Sequence, residues 1–81
     1  MGKRFVYVLQ SLSNPDRHYV GITSNLEQRL ISHNKGASVH TAADRPWVVN
    51  VIMEFKTEEL AIRFEKYLKS GSGRAFAKKH F

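Results

Sequence analysis

Residues 4 to 12, RFVYVLQSL, are rich in β-branched and aromatic side chains, and the turn-forming SNPDR at 13 to 17 separates them from a second short run, HYVGI. An antiparallel hairpin is predicted. The spacing then becomes helical: Thr23, Ser24 and Asn25 are cap candidates, Ser24 with Glu27 fits a capping box for a helix over about 25 to 34, and Gly36 stops it. KGASVHTAADRP, 35 to 46, has small residues and no sustained period, so it reads as a loop that ends where Pro46 admits a strand. In WVVNVIMEF the alternation predicts a third strand, with Trp47, Val49, Val51, Met53 and Phe55 on one face and Val48, Asn50, Ile52 and Glu54 on the other. Thr57 caps a second helix through about Lys69, with Glu58 and Glu59 near its positive end. On that helix Leu60, Ala61, Phe64, Tyr67 and Leu68 form one apolar arc, with Glu65 about 40° outside its edge. SGSG at 70 to 73 breaks it, and RAFAKKHF forms a short basic C-terminal helix.

No repeat, low-complexity tract or linker interrupts this order. The chain therefore reads as one α+β domain over residues 1–81, a three-stranded antiparallel sheet flanked by helices in the order β-β-α-β-α-α. At 81 residues it buries only about 60 to 65% of its unfolded surface, so one modest core serves the whole molecule. The absence of cysteine removes disulfides, thiolate metal sites and cysteine nucleophiles, and fits a reducing, cytoplasmic setting. FVYVL at 5 to 9 is too short for a signal-peptide core or a membrane span, and the myristoylation pattern fails at Val6. Thirteen Lys and Arg against seven Asp and Glu give a formal charge of +6, which favours a polyanionic partner, nucleic acid first. No segment joins a strongly basic face to a bulky exposed apolar one, so a membrane partner is not expected.

Within this frame a few side chains carry chemistry. At ~100° per residue Arg29 and His33 fall on one side of the first helix, bordering the Leu26 and Leu30 stripe. Tyr7 and Tyr19 stand twelve positions apart in strands that pair, so two phenols share one face. Each has a plain structural reading as well. The tyrosines serve as half-buried strand aromatics, Arg29 and Glu65 as a rim ion pair worth ~0 to 1 kcal/mol, and His33 as a hydrogen-bonding group for the loop after Gly36. His18, His40 and His80 lack zinc-site spacing and read as surface or loop residues, and Trp47 reads as core. Lys66, Lys69, Arg74, Lys78 and Lys79 form either a phosphate-tracking surface or a solvated basic face.

Taken in order, FVY at 5 to 7, YVG at 19 to 21, Arg29 and His33 on one helix and Glu65 on a later one resemble the GIY-YIG nuclease superfamily, most of all its small single-domain bacterial members. HNKG at 33 to 36, RP at 45 to 46 and AIRFEKYLK at 61 to 69 are similar to segments of those members. The resemblance implies metal-dependent cleavage of DNA phosphodiester bonds. Tyr7 would orient and deprotonate the attacking water with Tyr19 assisting, and Glu65 would hold one Mg²⁺ or Mn²⁺. Gly21 would let backbone approach backbone behind the site. A phenol with an ordinary pKa of ~10 is a poor base near neutrality. Arg29 would support it while holding the phosphate, and His33 would accept a proton. Phe5 and Val6 replace the first two letters of the motif and leave Tyr7 in place. Many members carry an Asn after the metal-binding Glu, whereas Asn14, Asn25, Asn34 and Asn50 all precede Glu65. That departure motivates an alternative, a nucleic-acid-binding module of the same fold without the chemistry; a protein-interaction adaptor is a third class. A single specific module buries only ~600 to 1,000 Å² on nucleic acid, so structure-selective recognition is expected, with a protein partner available for targeting.

Overall fold

The computed structural model describes residues 3–81; Met1 and Gly2, which carry the start of the 1–81 domain and of the lipidation pattern, lie outside the described residues. The elements are β1 (Arg4–Ser11), β2 (His18–Thr23), α1 (Leu26–Asn34), β3 (Trp47–Phe55), α2 (Glu58–Leu68) and α3 (Gly71–His80), with a 3₁₀ turn at Ala42–Asp44 before β3. They form one three-stranded sheet in the order β2-β1-β3, and both pairings are antiparallel. The α+β class and the order β-β-α-β-α-α are those expected. Among the described residues no helix is long and apolar enough to cross a membrane.

β1 is the middle strand, paired along both edges, and helices cover both its faces, so Val6, Tyr7, Val8 and Leu9 are buried without a break. The pleat sends them to opposite sides. Val6 and Val8 join Ala61 and Leu68 under α2 and α3, with Val51, Met53, Phe64 and Phe76 packed around them. Tyr7 and Leu9 join Trp47, with Tyr19, Leu26 and Leu30 packed against them, so α1 covers this second face.

The third strand departs from the single apolar face its alternation predicts. Val8 pairs with Val51 but Leu9 pairs with Val49, so the register slips by one at Asn50. Such a bulge inverts the side-chain parity beyond it. Trp47 therefore enters the Tyr7 side, while Val51, Met53 and Phe55 stay on the Val6 side.

Three helix details also differ. The α1 cap is Asn25, whose side chain accepts from the Gln28 amide, in place of the Ser24 and Glu27 box. The α2 arc is narrower than its spacing suggests: Ala61 and Leu68 are buried, but Leu60 and Tyr67 remain exposed. SGSG is less a break than a restart, since Ser70 caps α3 and both glycines lie inside it. At Gly73 a Cβ would overlap the Tyr67 carbonyl, so only glycine lets α3 start so close to the end of α2. Thr57 caps α2 as expected, accepting from the Leu60 amide.

The loop between α1 and β3 is tied down from both ends. Asn34 grips the Trp47 backbone twice, accepting from its N–H at 2.6 Å and donating to its carbonyl at 3.0 Å. Buried Ser11 donates to the Asp44 carbonyl at 2.6 Å and accepts from the Asn14 amide at 2.9 Å. The Trp47 indole N–H donates to the Thr41 carbonyl at 2.8 Å. These bonds press residue 41 against the C-terminal end of α1.

Candidate active site

Tyr7 sits directly opposite Gly21 in the hairpin register. A Cβ on Gly21 would overlap the Tyr7 hydroxyl and stand 3.0 Å from the Tyr19 ring, so the bare backbone lets the phenol lie across β2. Glycine here makes room for a side chain; the sequence suggested that it brings two backbones together. The phenol oxygen then lies 3.0 Å from His33 Nε2, and His33 Nδ1 lies 2.8 Å from the Thr41 hydroxyl. Tyr7, His33 and Thr41 are at most 1% exposed, so this chain of bonds runs through the interior. The Tyr19 ring centre is 4.9 Å from that of His33 and 6.3 Å from that of Tyr7. His33 thus touches both phenols. It also bonds the loop after Gly36, as its plain structural reading expects.

Arg29 lies one turn before His33 on α1, half-buried, and sets the electrostatics. Burial pushes the Tyr7 hydroxyl above its ordinary value; contact with Arg29 and its charge oppose that rise, Tyr19 adds a little to it, and the Lys69 charge counters it weakly. The same contact with Tyr7 holds the guanidinium still more firmly protonated. The contact polarises the phenol although its geometry is looser than that of the regular Tyr7–His33 bond. His33 is held below its ordinary value, first by burial and then by the Arg29 charge, so the ring is neutral at pH 7.

Glu65 stands apart from this quartet. It belongs to α2, which packs on the Val6 side of the sheet, and its Oε2 is 2.7 Å from Lys69 Nζ one turn further on. The Arg29–Glu65 rim pair is therefore not formed: Arg29 turns to the phenols and Glu65 to Lys69. The Glu65 side chain is 18% exposed, which agrees with a carboxylate at the edge of the apolar arc. Lys69 links the two sides, because its charge reaches the Tyr7 phenol.

Among the described residues no three His, Cys, Asp or Glu side chains gather as a metal cage. A hard cation resting on the single Glu65 carboxylate, with water and phosphate oxygens completing its shell, fits this donor set, since Mg²⁺ dehydrates reluctantly and is commonly held by one or two carboxylates.

Beside Lys69 a groove of about 820 Å³ opens between the hairpin and the helices α2 and α3, lined on its polar side by Gln10, Asp16, His18, Lys69, Arg74 and Lys78. Lys69 is the residue this groove shares with the surroundings of Tyr7. Lys66 and Lys79, also candidates for phosphate contact, are exposed but do not line it. His18, His40 and His80 are exposed and Trp47 is buried, as expected. Thr41 does not stand out in the sequence because it lies in an aperiodic loop, and Asn34, although on α1, reaches this region only through its bonds to the Trp47 backbone.

Residues 3–79 match the family model for the GIY-YIG catalytic domain, and the chain belongs to the GIY-YIG family. It is 34% identical over 73 residues to UPF0213 protein SH2523 of Staphylococcus haemolyticus, covering 89% of this chain and 87% of that one. The solution NMR structure of UPF0213 protein BH0048 from Bacillus halodurans matches with a TM-score of 0.57 at 25% identity, over 94% of this chain and 80% of that one. The structure-specific endonuclease subunit SLX1 of Malassezia globosa is 36% identical over 63 residues, 73% of this chain and 14% of the fungal protein. The SLX1 subunit of Candida dubliniensis is 35% identical over 71 residues, 79% of this chain and 25% of that protein. The chain thus spans a quarter or less of these two fungal relatives.

Proposed function

We propose that the protein is a metal-dependent endonuclease that cuts DNA phosphodiester bonds and selects its substrate by structure more than by sequence. The observation that carries this reading is the buried Tyr7–His33 bond of 3.0 Å beside Arg29. A phenol hidden from water is an expensive way to pack a strand, and a guanidinium against it opposes the effect of burial on its ionisation. In the reaction Tyr7, once it has given up its own proton to solvent with Arg29 stabilising the phenolate, orients water and takes its proton, and Tyr19 flanks the same space. Arg29 draws the phosphate in and stabilises charge as it develops on the non-bridging oxygens. Glu65 would hold one Mg²⁺ or Mn²⁺ in place of its present ion pair with Lys69. Such an ion supplies Lewis-acid stabilisation of the leaving oxygen. Lys69, Arg74 and Lys78 give the groove the positive charge that a sugar–phosphate strand follows. The fungal relatives are named as subunits of structure-specific endonucleases, which supports selection by structure and the presence of a protein partner.

The absence of an Asn after Glu65 favours a second reading, a module that binds DNA without cutting it. One panel separates the two. Wild type and Glu65→Ala are incubated with flapped, branched, damaged and linear duplex DNA in Mg²⁺ or Mn²⁺. Cleavage by wild type alone supports the nuclease. Cleavage by both sinks the assigned role of Glu65, and salt-sensitive binding without cleavage under any metal condition establishes the binding module.

A further inference from the structure

We propose that Thr41 is a positioning residue: it donates its hydroxyl proton to His33 Nδ1, fixes the ring proton on Nε2, and so makes His33 a hydrogen-bond donor to the Tyr7 oxygen. The inference rests on the reading of Tyr7 as the base, and it replaces the expected role of His33 as acceptor of the Tyr7 proton.

The reasoning begins with the count of protons. A neutral imidazole has one N–H and one lone pair, so the bonds at its two nitrogens decide each other. Two arrangements satisfy the distances of 2.8 Å at Nδ1 and 3.0 Å at Nε2. In one, Thr41 donates to Nδ1 and Nε2–H donates to Tyr7. In the other, Tyr7 donates to Nε2 and Nδ1–H donates to Thr41. Each leaves one terminal hydroxyl proton to be placed elsewhere, at Tyr7 in the first case and at Thr41 in the second.

The two ends of the chain differ. Thr41 has no exposed surface and lies where the Trp47 indole N–H takes its carbonyl. Among the described residues the Thr41 side chain has no hydrogen-bond partner besides His33, so a proton turned away from the ring has no acceptor. The Tyr7 oxygen lies over the bare Gly21 backbone and against the Arg29 guanidinium. Arg29 is a pure donor that seeks lone pairs, and Arg29 and Tyr19, which flank the Tyr7 oxygen, are both partly exposed, whereas Thr41 has no exposed surface. A proton leaving Tyr7 therefore has somewhere to go, and the oxygen left behind accepts from both Arg29 and Nε2–H.

The groups facing His33 support a ring of fixed charge. Tyr7 comes from β1, Tyr19 from β2 and Arg29 from α1 itself, with the Lys69 charge of α2 acting on Tyr7. Among the described residues no carboxylate bonds to the ring. Burial and Arg29 both favour the neutral form, so the position of one proton is what Thr41 has left to decide.

The ¹⁵N resonances of the His33 ring, read at neutral pH in protein without metal or DNA, test this directly. Wild type and Thr41→Ser should show a protonated Nε2 and an unprotonated Nδ1, and Thr41→Val should lose that pattern. A proton on Nδ1 in wild type overturns the proposal, as does a Thr41→Val ring indistinguishable from wild type. If Thr41→Val does not fold, wild type and Thr41→Ser decide by themselves. Where cleavage is measurable, Thr41→Val should move the rising limb of the pH–rate profile upward, with about a tenfold loss at neutral pH for each pH unit moved, and Thr41→Ser should restore it. An unshifted limb in Thr41→Val counts against the proposal. A protein that cuts nothing while its ring shows Nε2–H refutes the nuclease reading and leaves the tautomer standing.

Discussion

The two faces of β1 are one residue apart in sequence and differ in kind. Val6 and Val8 enter a layer of hydrocarbon with Ala61 and Leu68, where contact area supplies the stability. Tyr7 enters a layer in which a phenol, an imidazole and a hydroxyl bond in series behind Tyr19 and Trp47. Among the described residues every buried side-chain nitrogen and oxygen has at least one hydrogen-bond partner. A single central strand thus feeds a cohesive side and a chemical side, with the pleat as the only separation. Such an arrangement lets a domain of 81 residues hold a buried phenol without giving up its core.

The comparison breaks most sharply under paired substitutions. Tyr7→Phe should lower DNA cleavage about 10²- to 10⁴-fold, the usual loss for a positioned proton acceptor, and also cost about 1 to 3 kcal/mol because His33 Nε2 is left buried without its partner. Val8→Ala should cost a similar amount, about 2 kcal/mol in denaturant titration, yet leave turnover at a permissive temperature near wild type. If Val8→Ala reduces turnover as much as Tyr7→Phe does, the faces are not separable in function.

Gly21→Ala is expected to damage the chemical side through space alone. The added methyl meets the Tyr7 hydroxyl and the Tyr19 ring, so stability should fall by about 1 to 3 kcal/mol, and the Tyr7–His33 bond should be displaced. Gly21→Ala with wild-type stability and wild-type ring resonances for Tyr7 would mean that the phenol does not need the bare backbone.

What the sequence could reveal follows the same division. Strand pairing and helical period brought Tyr7 near Tyr19, Arg29 beside His33 and Glu65 to the edge of an apolar arc, because those relations depend on local repeat alone. The slip at Asn50 was hidden, since WVVNVIMEF still alternates perfectly in one dimension while the extra residue shifts only its partner. Thr41 was hidden for another reason. It sits in an aperiodic loop, and only the Asn34 and Trp47 bonds carry it back to the helix it serves. Lys69 pairs with Glu65 at a spacing that was available to read, but as one of several surface lysines nothing set it apart.

The chemical side should also impose its own pH dependence on stability. His33 is held below its ordinary value in the fold and returns to ~6.5 on unfolding, so its contribution is complete above ~6.5 and is lost as pH falls from there toward its folded value. Tyr7 is raised, so its contribution is complete below ~10 and is lost as pH climbs through that value toward the folded one. Urea titrations across pH should show both limbs, with His33→Gln flattening the acid limb and Tyr7→Phe the alkaline one. Equal acid slopes in wild type and His33→Gln would assign that limb to other groups.

The smallest expected effect refines the division where it is least clean. The groove lies on the hydrocarbon side, with Val8, Val20, Leu68 and Ala77 among its apolar lining residues, yet Lys69, Arg74 and Lys78 line it too. The cohesive side therefore also presents exposed cations, which under the proposed function would meet a phosphate chain. If the groove grips DNA while Tyr7, Arg29 and Glu65 cut it, Lys78→Ala should weaken binding to every substrate by a similar factor and reduce the salt slope of log K by about 1, the share of one phosphate contact. Cleavage of DNA already bound should proceed at the wild-type rate, because Lys78 touches none of the reacting groups. Lys66→Ala, outside the groove, should change neither. Equal salt slopes for Lys78→Ala and wild type would remove the groove from the DNA path, and a slower single-turnover rate would show that Lys78 takes part in cutting as well as in gripping.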